Sequence, residues 1–373
     1  MPYFIGGVTA DHNRLIARRP EEFKSLNGVE LLTGHRVVSI DAQGHRVRVA
    51  DLGRAREFDV PYSRLLISTG ARAFVPPVEG AGLEGVFTLR RLDDSVRLKA
   101  FVSSRRPATA VVVGSGPVGL EMCESFRRLG LEVTLVEMAP RIAPTLDPAI
   151  SEKVLSHLEE NGVKCLPGQA MEAIEGSDGA VRRVLLPSGA VEADAVLLAI
   201  GVRPVTELAR NAGAELGAGG AVKVDGGMRT SVEDIFAAGD CATTTNSITG
   251  EEAWLPLGST SRKQGRAAAD CMFGGHGDFP GVLGTSVVKC FDMTVGRTGL
   301  GEREAERAGF EPVSLEMDAE SLHDFYPGGG AMYLKLTADR PGGRVLGCQM
   351  AGDLRAAVEK RVDVFSVAIG ASM

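Results

Sequence analysis

From Ala110 to Val113 the chain runs through unbroken apolar residues, the pattern of a short strand buried on both faces of a parallel sheet. Gly114-Ser115-Gly116-Pro117-Val118-Gly119 follows. Leu120, Cys123, Phe126 and Leu129 then recur at helical spacing as far as Gly130, a C-terminal stop. A second apolar run, Leu131 to Val136, ends on Glu137. Strand, glycine turn, helix and strand are therefore predicted for Ala108 to Ile142. Upstream, no strand or helix pattern precedes Met1 to Gly7, so its first apolar residues are expected to have no element to complete. Pro20-Glu21-Glu22-Phe23 predicts a helix start, with proline first and acids in the first turn. Val29 to Leu32, Arg36 to Ile40 and His45 to Val49 predict strands, the last two joined as a hairpin at Gly44. Leu65-Leu66-Ile67 closes a strand that runs into Ser68-Thr69-Gly70-Ala71, and Leu92 to Ser103 reads as an amphipathic helix.

Downstream, Asp147 is placed to cap a helix over Asp147 to Asn161, with Pro148 in its first turn. Strands are predicted at Val163 to Leu166, Gln169 to Ile174, Val181 to Leu186 and Val191 to Ile200, with turns at Ser177-Asp178-Gly179 and Ser188-Gly189. A compact dinucleotide domain of about 104–226 follows from this alternation. Ile235 to Ala238 then delivers Gly239-Asp240 at a strand's C-terminal end, the edge where ligands sit in open α/β sheets. Gly258 to Cys271 is a helix. From Gly284 the texture changes to antiparallel strands: Ser286 to Phe291, Thr294 to Thr298, Glu311 to Met317, Ala331 to Ala338 and Arg344 to Met350. One interposed helix, Glu302 to Ala308, and a closing helix, Leu354 to Ile369, complete an α+β domain.

Composition narrows the picture. A chain of 373 residues holds two or three domains, and 47 glycines suit several nucleotide-binding turns. A net charge of −7 with interspersed signs argues against nucleic acid as a partner, and Arg105-Arg106 is too short to track a polyanion. No stretch reaches the roughly 20 apolar residues of a membrane span, and no signal peptide heads the chain. Six scattered cysteines without ligand-like spacing point to a reduced, cytoplasmic protein with buried thiols and no metal site.

The glycine turn carries the clearest chemistry. Gly114 permits a tight turn, Gly116 lets a pyrophosphate approach the backbone, and Gly119 lets helix and strand pack closely. The helix N-terminus favours phosphate oxygens. Glu137 can accept hydrogen bonds from a ribose diol and repels a 2′-phosphate, so NADH is expected over NADPH.

Several segments together resemble the FAD-dependent pyridine nucleotide-disulfide oxidoreductases, in the branch of coenzyme A disulfide reductases, NADH oxidases and NADH peroxidases. They are PYFIGG, STGARAFVPPVEG, VVVGSGPVGLEM, AIGVRP, TSVEDIFAAGDC, PLGSTSRKQGR, FPGVLGT, FDMTVGRTGL, FYPGG and KRVDVFSVAI. The resemblance implies an α/β fold with two dinucleotide-binding domains, each a three-layer ββα arrangement, followed by a C-terminal α+β dimerisation domain. It divides the chain into an FAD part (1–103 and 227–282), an NAD part (104–226) and a dimerisation part (283–373). Gly114, Gly116, Gly119, Glu137 and Gly201 match the NAD side, and Glu121 matches a carboxylate near the nicotinamide. Thr69, Gly70, Gly239 and Asp240 match the FAD side, and Tyr326 matches an aromatic position near a substrate thiol. In the family a cysteine two residues before the position of Met1 is the redox nucleophile. By this comparison the chain lacks that cysteine, the first FAD-binding βαβ unit and the segment that completes the dimer interface.

The implied activity is transfer of electrons from NADH through FAD to a small disulfide or persulfide, such as coenzyme A disulfide, or to oxygen or peroxide, in a homodimer. Two alternatives stand beside it. One is a non-catalytic remnant that binds NAD(H), with flavin weak or absent; the other is a thiol-independent NADH:acceptor flavin reductase.

Overall fold

A computed structural model describes residues 1–323 and 325–373. They form two compact units. The first comprises Met1–Leu15, Ala73–Gly201 and Leu283–Met373; the second comprises Ile16–Arg72 and Val202–Val282.

In the first unit, five parallel strands lie in the order Val86–Phe87, Ala195–Leu198, Thr109–Val113, Glu132–Glu137 and Val163–Pro167. Helices Pro117–Arg128 and Pro148–Glu160 supply two of the crossovers. An antiparallel meander of Ala173–Ser177, Ala180–Leu186 and Gly189–Glu192 supplies a third layer. The central strand shows why its sequence is apolar throughout. Ala110 and Val112 pack with Leu120, Cys123 and Phe126 on the helix side, while Val111 and Val113 pack with Ile174, Val184 and Leu186 of the meander. Alternate residues face opposite layers and both layers exclude water.

Four expectations in this part of the unit need correction. The run Val191 to Ile200 is two strands in two sheets, Gly189–Glu192 and Ala195–Leu198. Asp194 makes the break: its carboxylate accepts from the backbone N–H groups of Ala108 (2.8 Å) and Thr109 (3.0 Å) and docks the neighbouring strand. Likewise, Gln169 to Ile174 becomes strand only at Ala173, because the Gln169 N–H is already bonded to the Glu137 carbonyl at 2.9 Å. Asp147 occupies the N-cap position of Pro148–Glu160, but its side chain makes no cap hydrogen bond. It lies 3.3 Å from the Lys335 ammonium instead. Finally, the first residues do have an element to complete. Pro2–Ile5 is one helical turn, and Phe4 and Ile5 are buried beside Leu98 and Phe126. The Ser125 hydroxyl donates to the Pro2 carbonyl at 3.0 Å, and the Lys99 ammonium sits 3.9 Å from the Phe4 ring centroid. Burying two such side chains contributes about 1.5–3 kcal/mol each.

The C-terminal part of this unit is a five-stranded antiparallel sheet, ordered Ser286–Cys290, Met293–Gly299, Val345–Asp353, Ala331–Asp339 and Pro312–Glu320. Its closing helix starts later than the periodicity indicates. The Asp353 carboxylate accepts from the N–H groups of Arg355 (2.7 Å) and Ala356 (3.0 Å), which winds Leu354–Ala356 into a 3-10 turn. Ala357 then adopts φ 50°, and the α-helix proper is Val358–Gly370.

The second unit holds the hairpin as predicted. His35–Asp41 and Arg46–Asp51 pair antiparallel, and Arg56–Pro61 adds a third strand. Val29 to Leu32 is not a strand. Gly28, at φ 66°, and Val29 return hydrogen bonds to Lys24 and Phe23 and close the helix Pro20–Asn27, leaving Leu31 and Leu32 exposed. Elsewhere in the unit Leu65–Ile67 and Ile235–Ala237 lie side by side as parallel strands, and the helix Gly258–Met272 buries Gln264, Ala268 and Cys271.

Candidate functional site

The turn after Thr109–Val113 is built by sterics. Gly114 has φ 102°, and a Cβ there would lie 2.5 Å from the Ala199 carbonyl oxygen. At Gly119 a Cβ would come within 2.0 Å of the Gly114 carbonyl oxygen, so that glycine lets the helix close on the strand. Gly116 is different: nothing lies within 4 Å of where its Cβ would be. Two glycines are thus required by packing, and the third leaves the backbone open. Pro117 opens the helix, where its missing donor costs nothing. The remaining first-turn amides have no intrahelical acceptor and suit a phosphate. Gly201, with φ 97°, also has open space around it.

Glu137 at the end of the next strand is held by a residue that the fingerprint leaves unspecified. Its Oε2 accepts from the Ser115 N–H (2.9 Å) and the Ser115 hydroxyl (2.6 Å), while Oε1 accepts from the Ala139 N–H (2.8 Å). The same hydroxyl accepts from the Ala143 N–H at 2.9 Å. Ser115, 1% exposed, therefore ties the glycine turn, the acidic residue and the following loop together. A carboxylate accepts about four hydrogen bonds, so three leave capacity for a ribose hydroxyl. Only this approach of two chain segments marks Ser115; its type and spacing do not.

On the same helix, Glu121 is half-buried and its carboxyl is pushed up from the ordinary range, by burial first and by the like charge of Glu124 as a further contribution. Glu124 is 4% exposed and paired. Its oxygens accept from the Lys289 ammonium (2.8 and 3.0 Å) and from the Phe291 N–H (3.0 Å). This pair fixes the helix to the first strand of the antiparallel sheet. Tyr326, by contrast, lies in an exposed aromatic group: its N–H donates to the His323 carbonyl at 2.8 Å and its ring centroid is 5.0 Å from that of Phe325.

In the second unit, the register Leu65–Ile235, Leu66–Phe236, Ile67–Ala237 brings Ser68-Thr69-Gly70 and Ala238-Gly239-Asp240 out at one sheet edge. The Thr69 hydroxyl donates to the Val205 carbonyl (2.5 Å), and Gly70 and Gly239 have φ of 67° and 88°. The Gly239 N–H donates to Gln264 Oε1 (2.9 Å), and the Ser261 hydroxyl donates to the Asp240 carboxylate (2.7 Å). The Trp254 indole N–H donates to the Asp240 carbonyl (2.9 Å). From the helix Gly258–Met272, Ser261 thus holds the carboxylate that sequence reasoning singles out, and Gln264 holds the glycine before it. This edge therefore carries two glycines at positive φ and a carboxylate oriented by the Ser261 hydroxyl.

All six cysteines are free thiols. Burial pushes Cys165, Cys290 and Cys348 up to about 12, and Cys123 well above its ordinary value. The Cys241 thiol is buried and directed at the carbonyls of Ile67 and Ala238. Among the described residues no group of His, Cys, Asp and Glu could hold a metal ion, and no helix is long and apolar enough to cross a membrane.

Comparison with known proteins agrees with this architecture. The chain is 34% identical over 370 residues to an NADH oxidase of Methanocaldococcus jannaschii, covering 99% of this chain and 81% of that protein. It is 34% identical over 355 residues to an NAD(P)H coenzyme A polysulfide/persulfide reductase of Pyrococcus horikoshii, covering 94% and 78%. The crystal structure of reduced Bacillus anthracis CoADR-RHD superposes with a TM-score of 0.95 at 34% identity, covering all of this chain and 66% of that one. Residues 4–265 match the family profile described as pyridine nucleotide-disulphide oxidoreductase, and residues 285–373 match that family's dimerisation domain. The chain belongs to the pyridine nucleotide-disulphide oxidoreductase family.

Proposed function

We propose that the chain is an NADH-dependent flavoprotein oxidoreductase that delivers electrons to a small disulfide or persulfide, coenzyme A disulfide among them, with oxygen or peroxide as the other acceptors of this chemistry. The observation that carries the reading is the glycine turn with Glu137 held against it by Ser115. In this reading residues 104–226 form the NAD domain, 1–103 with 227–282 the FAD domain, and 283–373 the contact surface of a homodimer.

The open backbone at Gly116 and the first-turn amides take the pyrophosphate. Glu137 takes the adenosine ribose diol and repels a 2′-phosphate, which favours NADH. Gly201 leaves space beside the dinucleotide, and Glu121 presents its half-buried carboxyl to the nicotinamide end. In the second unit Thr69, Gly70 and Gly239 line the flavin side, and Asp240, oriented by Ser261, receives ribityl hydroxyls. Bound FAD supplies the two-electron carrier between nicotinamide and acceptor. Tyr326 offers an exposed hydroxyl to the acceptor thiol.

A second reading, a thiol-independent NADH:acceptor flavin reductase, is favoured by one observation. Burial disfavours the thiolate at Cys123, Cys165, Cys290 and Cys348, and the thiolate is the redox-active form.

The purified chain, reconstituted with FAD, tests both. A flavin absorption band that NADH bleaches supports the proposal. Reduction of coenzyme A disulfide at rates comparable with a dye acceptor selects the first reading, and dye reduction alone selects the second. Absence of both flavin and NADH binding refutes both and leaves the remnant reading with no ligand.

A further inference from the structure

A cavity lies beside Ala108, just before the strand Thr109–Val113 that delivers the glycine turn. The cavity has a volume of about 430 Å3 and lies wholly in the first unit. That volume is typical of small-molecule sites. Phe101, Pro107 and Val181 give it an apolar wall, and Arg105, Arg106 and Arg182 bring three guanidinium groups. Phe101 is braced by an edge-on contact with Phe87, ring centroids 5.0 Å apart.

The charges sort unequally. Glu84 accepts from Arg105 at 2.6 and 3.1 Å. Asp194 is occupied by the N–H groups of Ala108 and Thr109 and by the Thr109 hydroxyl. Among the described residues, Arg106 and Arg182 form no ion pair; Arg182 donates only to the Ser177 hydroxyl at 3.2 Å. Asp178 remains as a lining carboxylate. The three lining guanidiniums are matched in number by three carboxylates, and Arg106 and Arg182 are the two guanidiniums that no ion pair among the described residues engages. Arg106 and Asp178 also both adopt left-handed backbone, φ 50° and 54°, where glycine or asparagine is favoured.

We propose that this cavity binds a small organic oxyanion, a phosphate monoester or carboxylate on a compact apolar body, at a site separate from the nucleotide turn. Arg106 and Arg182 clamp the oxyanion, since guanidinium forks match phosphate and carboxylate oxygens. The apolar body lies against Phe101 and Val181.

Phenyl phosphate, benzoate and inorganic phosphate are titrated calorimetrically into the full chain, with and without saturating NADH. Saturable binding of phenyl phosphate or benzoate, with Kd about 0.1–1 mM and indifferent to NADH, is expected. Which of the two binds tighter identifies the oxyanion. Arg106→Gln and Arg182→Gln should each weaken binding about tenfold, while Glu137→Ala leaves it unchanged. If a glutamine variant loses its far-UV circular dichroism, the lysine variant replaces it; retained charge without the fork should weaken binding by a smaller factor. Four results overturn the proposal: no saturable binding, binding that survives loss of both arginines, binding displaced by NADH, or inorganic phosphate binding as tightly as the two organic probes.

Discussion

Substituting Ser115 by alanine isolates the hub that the structure adds to the fingerprint. The hydroxyl donates to Glu137 at 2.6 Å and accepts from the Ala143 N–H at 2.9 Å, in a position 1% exposed. Losing the charge-assisted bond costs about 1.5–3 kcal/mol, and a buried amide left without an acceptor costs a further 1–3 kcal/mol or so. These overlap because both act through one oxygen, so Ser115→Ala is expected to destabilise by about 3 kcal/mol. Glu137 nevertheless keeps the N–H groups of Ser115 and Ala139. NADH affinity should therefore fall by less than the roughly tenfold that 1.4 kcal/mol represents. Urea unfolding followed by far-UV circular dichroism measures the first effect, and NADH fluorescence titration measures the second. In Glu137→Ala the order reverses, with NADH affinity falling more than stability. Stability of Ser115→Ala within about 0.5 kcal/mol of the parent, the range of an ordinary surface substitution, would refute the hub.

Three further outcomes follow from the geometry. Gly116→Ala meets open space, whereas Gly119→Ala meets the Gly114 carbonyl at 2.0 Å. The first should keep its urea midpoint and lose about tenfold or more in NADH affinity, and the second should lose both. Lys335, 4% exposed, lies within 3.3 Å of carboxylate oxygens of Asp147, Glu302 and Glu316. Lys335→Met strands the buried Asp147 and should cost about 3–5 kcal/mol in urea unfolding, with little change on adding salt. Glu121 has a raised folded pKa, so its charged form opposes folding above that value and is neutral in both states below the ordinary carboxyl pKa of about 4. Glu121→Gln should consequently be more stable than the parent at pH 7, the difference vanishing as pH falls through that window; a gain that persists at pH 3 would contradict this origin.

Much of the first unit is legible in the chain. The glycine positions, the apolar strand Thr109–Val113 and the helix Pro117–Arg128 follow from sterics and periodicity within a few residues. The antiparallel texture after Gly284 is equally local. What escapes is whatever depends on a distant partner. Ala193 and Asp194 interrupt an apolar run only because Asp194 meets the amides of Ala108 and Thr109. Val29 to Leu32 carries strand-forming residues, yet Gly28 and Val29 close the preceding helix instead. Asp147 sits at an N-cap, but Lys335 draws its carboxylate away.

Near-neighbour chemistry along the chain already dictates the glycine turn after Thr109–Val113, the acidic residue after the following strand, and the α+β part that follows. Those features arise from backbone conformations and side-chain spacings set by near neighbours. Tertiary structure alone decided that Ser115 holds Glu137, that Ser261 and Gln264 orient the edge around Asp240, and that Phe4 and Ile5 complete a core. Each of these is a hydrogen bond or a burial between segments remote in sequence. Its free energy exists only once the fold has excluded water from between them.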